Sequence, residues 1–168
     1  MSIVKIYRYK DQAVIPSIAR TAEGLHVECA PVVLCQIDQP QLPDLIGQPL
    51  TAPVLEQPDS EEDNGPDSVV LEALGLKKWR DFEQNALLYT IHCTESSVEV
   101  HITGRGQDGF WKRDDSLMLS FARQDWPDKV ATKLATDIAN RKPVAEKQIR
   151  LLGGPSTPPA LLPPKRDS

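Results

Sequence analysis

Residues 87–103 read LLYTIHCTESSVEVHIT, which is the clearest hairpin signal in the chain. Apolar and polar side chains alternate through 87–93 and again through 98–103, and a period of two is typical of strands with one buried face. The residues between the two runs, 94–97, are polar and favour a turn. The sequence therefore predicts two antiparallel strands here, as part of an antiparallel sheet.

The N-terminal part of the chain predicts further strands, because it is rich in β-branched residues and tyrosine. These strands are predicted over residues 2–9, 13–20, 25–29 and 32–37. In the third of them Leu25, Val27 and Cys29 alternate with two polar residues, so we expect these three on one face. His26 and Glu28 are expected on the other face.

The C-terminal part of the chain predicts short strands at 110–112 and 117–121, after a glycine-containing turn at 104–109. A helix is predicted to follow over about 126–140, where Val130, Leu134 and Ile138 recur at helical spacing. Asp125 is the expected N-cap of this helix, and Pro127 would lie in its first turn. Such a helix is expected to lie across one face of the sheet.

The middle of the chain predicts little regular structure. Residues 39–49 contain three prolines and are expected to form at most one helical turn. Two short helices are predicted after the loop at 53–67, one from Val69 to Gly75 and one over 76–86. The fold class is therefore α+β: an antiparallel sheet with the 126–140 helix on one face and two short helices in the middle of the chain.

Length and composition indicate one domain followed by a tail. A chain of 168 residues fits a single domain, here expected over 1–150. The segment 153–168 is rich in proline and is expected to be disordered or extended. Three cysteines without a CxxC motif, no signal peptide and no long apolar run together predict a cytoplasmic protein with no membrane segment.

Charge is distributed unevenly along the chain. Residues 1–76 carry four basic and twelve acidic side chains, whereas the whole chain has a net charge of −5. Many of these acids fall in an acidic loop at about 56–67. An acidic front half repels phosphate backbones and attracts basic surfaces, so a basic protein is the expected partner and nucleic acid is not.

No motif predicts a cofactor. The run 104–109 matches GxGxxG, but a strand-like segment follows it where a dinucleotide fold requires a helix N-terminus. A hairpin turn that needs positive backbone angles explains the glycines instead. We therefore expect neither a bound nucleotide nor any other cofactor.

His92 and His101 are the residues that most resemble a chemical site. Two strand registers are open: His92 lies opposite either Glu99 or His101, and both registers place the two histidines on one face. With Glu99 nearby, they could bind a metal or act as acid and base. A small metal-dependent enzyme is therefore one alternative function, although alternating polar residues on a solvent face would give the same pattern.

Three segments, 1–8, 14–16 and 78–83, resemble small α+β proteins encoded beside bacterial polymorphic toxins. These are the immunity proteins of contact-dependent inhibition systems and of secreted effectors. The resemblance extends over about 1–140, has no diagnostic motif and assigns no residue a role. It implies a protein that binds and neutralises a cognate toxin.

The charge layout suggests which residues such a protein would use. The candidate partner-binding residues are the acids Glu23, Glu28, Asp59, Glu61, Glu62 and Asp63. The predicted function is therefore an immunity-type inhibitor of a basic toxin or effector, without catalytic residues of its own. A structural or adaptor subunit of a phage or secretion system, which recruits a neighbour through the tail at 153–168, is a further alternative.

Overall fold

The computed structural model of the chain describes residues 2–56 and 67–144. Within these ranges the protein is an α+β fold in which one open sheet of seven strands carries four α-helices. The strands are β1 (Ser2–Tyr9), β2 (Gln12–Arg20), β3 (His26–Gln36), β4 (Leu55–Glu56), β5 (Ala86–Cys93), β6 (Ser97–Arg105) and β7 (Trp111–Ala122). The helices are α1 (Leu42–Thr51), α2 (Asp67–Ala73), α3 (Trp79–Glu83) and α4 (Asp128–Asn140). The predicted fold class is confirmed.

The sheet consists of two antiparallel meanders, β1–β2–β3 and β5–β6–β7, that join along their first strands. β1 pairs with β5 over its whole length, from Ser2 opposite Cys93 to Tyr9 opposite Ala86. β2, in contrast, pairs with β1 only near the turn that connects them. The far end of β2 therefore has room for another neighbour, the short parallel strand β4.

One face of the sheet is apolar and is covered by α1 and α4. Val130, Leu134 and Ile138, the stripe that predicted the last helix, are fully buried in this core. They pack against side chains that alternate inward along β5 and β6, such as Tyr89 and Val100. The helix and the hairpin predicted from periodicity therefore meet in the main core, as expected for a helix packed on a sheet.

The opposite face is covered only in part, by α2 and α3. Phe82 of α3 is fully buried and contacts the rings of Tyr7 and Tyr9, each with a centroid separation of 5.3 Å. Trp79 extends this aromatic cluster to Trp111 at the start of β7, at 5.4 Å. The part of this face that the aromatic cluster leaves uncovered carries the ionisable residues considered below.

Buried polar contacts fix α4 to the sheet. The guanidinium of Arg8 in β1 is almost fully buried and donates to the carbonyls of Ile138, Ala139 and Arg141 at the C-terminal end of α4. The last carbonyls of a helix accept no hydrogen bond from within the helix. A cation placed there also interacts favourably with the helix dipole. Residues 130 or more positions apart are thereby held together.

β3 and β7 are continuous strands, where the sequence predicted two short strands in each case. In β3 the extra residues Ala30 and Pro31 lie at a bulge opposite Pro16 and Ser17, so pairing with β2 resumes on both sides. In β7 the acidic pair Asp114–Asp115 is exposed at the sheet edge, where charged residues are readily tolerated. Pro31 and the acidic pair therefore lie at irregularities within continuous strands and do not end them.

The helix predictions were wrong at two points. α1 is a full helix of ten residues, not a single turn, because Pro43 lies in its first turn and Leu42, Ile46 and Leu50 bury one side of the helix in the main core. Asp125 is not the N-cap of α4, because it lies in a 3-10 turn at Arg123–Asp125. Pro127 occupies the N-cap position without a side-chain hydrogen bond, and Asp125 accepts a bond from Lys129 instead.

Candidate functional site

Six ionisable side chains from four strands share the part of the second sheet face that the aromatic cluster leaves uncovered. We call this surface the polar face; it consists of Lys5, His26, Glu28, His92, Glu99 and His101. The strand register places Lys5, Thr90 and His101 in one row across three strands, and neighbouring strands lie about 4.8 Å apart. All three histidines of the chain therefore share one surface.

The structure selects one of the two predicted registers for the central hairpin. His92 lies opposite Glu99, and His101 lies opposite Thr90. The rings of His92 and His101 are diagonal neighbours with centroids 5.2 Å apart, in an edge-to-face arrangement. The Oε2 atom of Glu99 lies 3.7 Å from Nε2 of His101. The predicted proximity of these three residues is confirmed.

Burial and charge act together on His92. Desolvation lowers its pKa, and the neighbouring His101, Arg113 and His26 lower it further, while Glu99 acts in the opposite direction. The fold therefore favours the neutral form of His92. Arg113 reaches this surface from β7, because it pairs with Thr103, which lies two residues beyond His101 on the same side of β6.

The prediction that Glu28 belongs to an exposed acidic surface is wrong. Its side chain is only 1% exposed, and its Oε1 atom accepts bonds from Nζ of Lys5 at 2.9 Å and from the hydroxyl of Tyr7 at 2.7 Å. Leu25, expected on the buried face of the same strand, is 60% exposed. The carboxylate of Glu28 is buried because β1 supplies a cation and a hydroxyl donor as its partners.

Sequence reasoning did not identify Lys5 and Tyr7 as partners of Glu28. A signal was present, since residues two apart on β1 point to the same side of the sheet. The partner strand could not be deduced, because Glu28 lies on β3 and the order β3–β2–β1 only follows from the folded topology.

Two buried acceptor or donor atoms on the polar face have no hydrogen-bond partner among the described residues. They are Oε2 of Glu28 and Nδ1 of His101. Buried polar atoms without partners are rare in folded proteins. The polar face therefore contains two buried polar atoms, one on Glu28 and one on His101, that lack a hydrogen bond within the described part of the chain. In residues 2–56 and 67–144 no group of three or more His, Cys, Asp or Glu side chains is arranged to hold a metal ion.

Two grooves lie elsewhere in the described part of the chain. One runs between α1 and α4 and is lined by residues such as Asp44 and Asp128, and the other is formed by Ser2, Cys93 and their neighbours. Neither groove includes a residue of the polar face. The ionisable groups of the polar face thus lie outside both grooves.

A second surface forms where β4 joins the end of β2. Arg20 is flanked by His26 on β3 and by Glu56 on β4, and Glu23 follows three residues later in the exposed turn to β3. Glu56 is the residue at which the predicted acidic loop begins. The structure therefore brings the start of that loop to the end of β2, three residues before Glu23 along the chain.

Exposed apolar side chains accompany these acids. Leu25, Val54 and Leu55 are large hydrophobic residues that remain exposed at this end of the sheet, and Leu55 and Val27 flank Ala19 across two adjacent strands. We call the surface formed by Glu23, Leu25, Val54, Leu55 and Glu56 the docking end. Asp59, Glu61, Glu62 and Asp63, together with the tail at 153–168, lie outside the described residues.

Comparison with known proteins gives a fold relationship only. No family model matches the chain, and no curated protein matches it. Among solved structures, a protein of unknown function from Neisseria meningitidis is similar, with a TM-score of 0.55 and 14% sequence identity. The match covers 79% of this chain and 92% of the neisserial chain. In residues 2–56 and 67–144 no helix has the length and apolarity needed to cross a membrane.

Proposed function

We propose that this protein is an immunity-type inhibitor that binds a basic toxin or effector through the docking end. The observation that supports this proposal most directly is the pairing of β4 with β2, because it places Glu56 beside Arg20, three residues before the exposed Glu23. Exposed leucines and a valine accompany these acids. An apolar centre with a charged rim is typical of protein-binding surfaces.

Electrostatics gives the docking end a partner preference. The chain has a net charge of −5, and neither Glu23 nor Glu56 forms an ion pair among the described residues. Unpaired acids at a protein surface accelerate association with a basic partner and make it sensitive to salt. A toxin that acts on nucleic acid carries such a basic surface at its substrate cleft, so docking there would block its substrate.

In this proposal the polar face stabilises the fold, and the docking end binds the partner. Its buried acid is neutralised by Lys5, and its best candidate base, His92, lies on the open sheet next to His101. The free thiols of Cys29, Cys35 and Cys93 are compatible with a reducing cytoplasm, where an immunity protein acts. The enzyme and adaptor alternatives stay predictions.

The decisive experiment is co-expression. Each reading frame adjacent to the gene would be expressed with and without this protein, and growth of the host would be measured. The proposal predicts that one neighbour is toxic alone and harmless when co-expressed. It is contradicted if no neighbouring product is toxic, or if toxicity is unchanged by co-expression.

Charge reversal tests the location of the docking surface. Glu23→Lys/Glu56→Lys should weaken binding of the purified toxin by roughly tenfold or more, which corresponds to about 1.4 kcal/mol. Glu72→Lys/Glu95→Lys is the matched control, since both acids are exposed and lie on other parts of the surface. Isothermal titration at low and high salt would measure both variants. Equal affinities for the two double variants would rule out the docking end.

A further inference from the structure

The two edges of the sheet are protected to different degrees. β7, at one edge, carries four consecutive charged residues at 112–115. β3, at the other edge, reads CAPVVLCQ over 29–36 and contains no charge in this run. Natural sheet edges are usually blunted by charged residues, because an unprotected edge pairs with other strands. The edge of β3 lacks this protection.

The backbone of β3 leaves hydrogen-bonding groups at this edge. The N–H of Ile37 donates to the carbonyl of Asp11 next to β2, so the backbone groups of Cys35 and Val33, two and four residues earlier, also face β2. By the same alternation the N–H and C=O groups of Val32 and Leu34 face away from β2. In the described residues β3 forms a ladder with β2 alone.

The side chains near these groups are apolar and accessible. Val33 is 38% exposed and Leu34 is 42% exposed, on opposite faces of the strand. Val32 is partly buried, because it packs on the cluster that includes Val70 of α2. A strand that pairs here would cover apolar surface on both faces of the sheet.

We propose that this edge pairs with the same edge of a second copy, so that two sheets join into one across a two-fold axis. An antiparallel pairing centred on Val33 places Val33 opposite its own copy and Val32 opposite Leu34 of the second chain. The outward N–H and C=O groups of Val32 and Leu34 then form four hydrogen bonds between the two chains. Pro31 lies opposite Cys35, and the bulge at Ala30 and Pro31 ends the regular part of the strand there.

A second copy fits this edge better than an unrelated strand would, because the run is self-complementary. Every side chain near the axis is apolar, so the pairing brings no like charges together although each chain has a net charge of −5. The docking end, which includes Leu25, lies at the opposite end of β3 and stays accessible. This inference does not depend on the proposed inhibitory function.

The test is the mass of the purified full-length protein, measured by light scattering and sedimentation over a range of concentrations. We expect the mass to approach twice the 18.6 kDa of one chain as the concentration rises. Val33→Lys should raise the dimer dissociation constant at least about tenfold, because the two introduced charges face each other at the axis. Met118→Lys, at an exposed position of the β7 edge, is the matched control and should leave the dimer unchanged.

Charge complementation separates this arrangement from other dimers and from misfolding. Val33→Glu should also dissociate the dimer, and an equimolar mixture of Val33→Lys and Val33→Glu should restore it as a heterodimer. A wild-type protein that stays monomeric at millimolar concentration would overturn the proposal. So would a dimer that Met118→Lys disrupts and Val33→Lys does not, or a mixture that stays monomeric.

Discussion

The two faces of the sheet are built on different physical principles. The face under α1 and α4 is an apolar core in which a long helix stripe fills the space above alternating strand residues. The polar face buries one carboxylate, that of Glu28, and only partly buries the three histidines, and its stability depends on specific partners such as the Lys5–Glu28 pair. The first kind of surface is readable from periodicity, whereas the second requires knowledge of which strands are neighbours.

The largest difference between the faces should appear when a core side chain is removed. Leu134→Ala deletes a fully buried side chain and leaves a cavity, so we expect a loss of about 3–4 kcal/mol in the free energy of unfolding. Urea denaturation monitored by circular dichroism would measure it. Lys133→Ala, exposed on the same helix, is the control and should change stability by less than about 0.5 kcal/mol. Similar losses for both variants would contradict the packing of α4.

On the polar face, the two partners of the buried ion pair should respond unequally. Lys5→Met leaves a carboxylate that is 1% exposed without its cation, so we expect a loss of about 2–3 kcal/mol. Glu28→Gln should cost less, about 1 kcal/mol, since the side chain of Lys5 is 22% exposed and can reach water. The same urea titrations apply. A larger loss for Glu28→Gln than for Lys5→Met would show that the carboxylate is not held as described.

The contact between α4 and β5 should have an intermediate effect that depends on pH. Burial raises the pKa of Asp137, but hydrogen bonds from Arg141 and Tyr89 outweigh burial and hold this pKa below its ordinary value. A carboxylate whose pKa is lower in the folded chain than in the unfolded chain stabilises the fold at any pH above its unfolded pKa. This contribution is lost as the pH falls below about 4.

Tyr89→Phe removes one of these hydrogen bonds and should cost about 1 kcal/mol at pH 7. The difference between the variant and the wild type should shrink as Asp137 becomes protonated. Denaturation at pH 7 and at about pH 3 would measure this change. A difference that is constant with pH would mean that the bond to the charged carboxylate contributes nothing.

The smallest expected effect concerns His92. Because its pKa in the fold is lowered, the unfolded chain binds a proton at a higher pH than the folded chain does. Stability should therefore decrease as the pH falls through about 6.5, and His92→Gln should flatten this part of the pH profile. Thermal melting between neutral pH and about pH 5 would compare the two proteins. Identical profiles would show that the titration of His92 does not affect the stability of the fold.

The sequence predicted those elements whose apolar residues follow one period. The hairpin at 87–103 and the stripe on α4 were found this way, because each buries one side against the same core. It could not predict α1 as a full helix, since two prolines argue against a helix and only its packing on α4 compensates. Because of Pro31 and the acidic pair in β7, each of two continuous strands was similarly predicted as two short ones.

The candidate site was predicted only within a single hairpin. His92, His101 and Glu99 are close in sequence, so alternation was enough to place them on one face. Glu28 was misplaced because its partners lie more than 20 residues away, on a strand that is not its neighbour along the chain. The docking end depends in the same way on the short pairing of β4 with β2, which no local pattern indicated.

The pairing of β1 with β5 has a consequence for how the chain is made. Residues 2–9 are synthesised before residues 86–93, with which they pair, and Arg8 is synthesised before the carbonyls at the end of α4 to which it donates. Contacts over such separations slow folding, because a long loop must close before they form. During synthesis the N-terminal meander therefore has an open central edge until the second meander emerges.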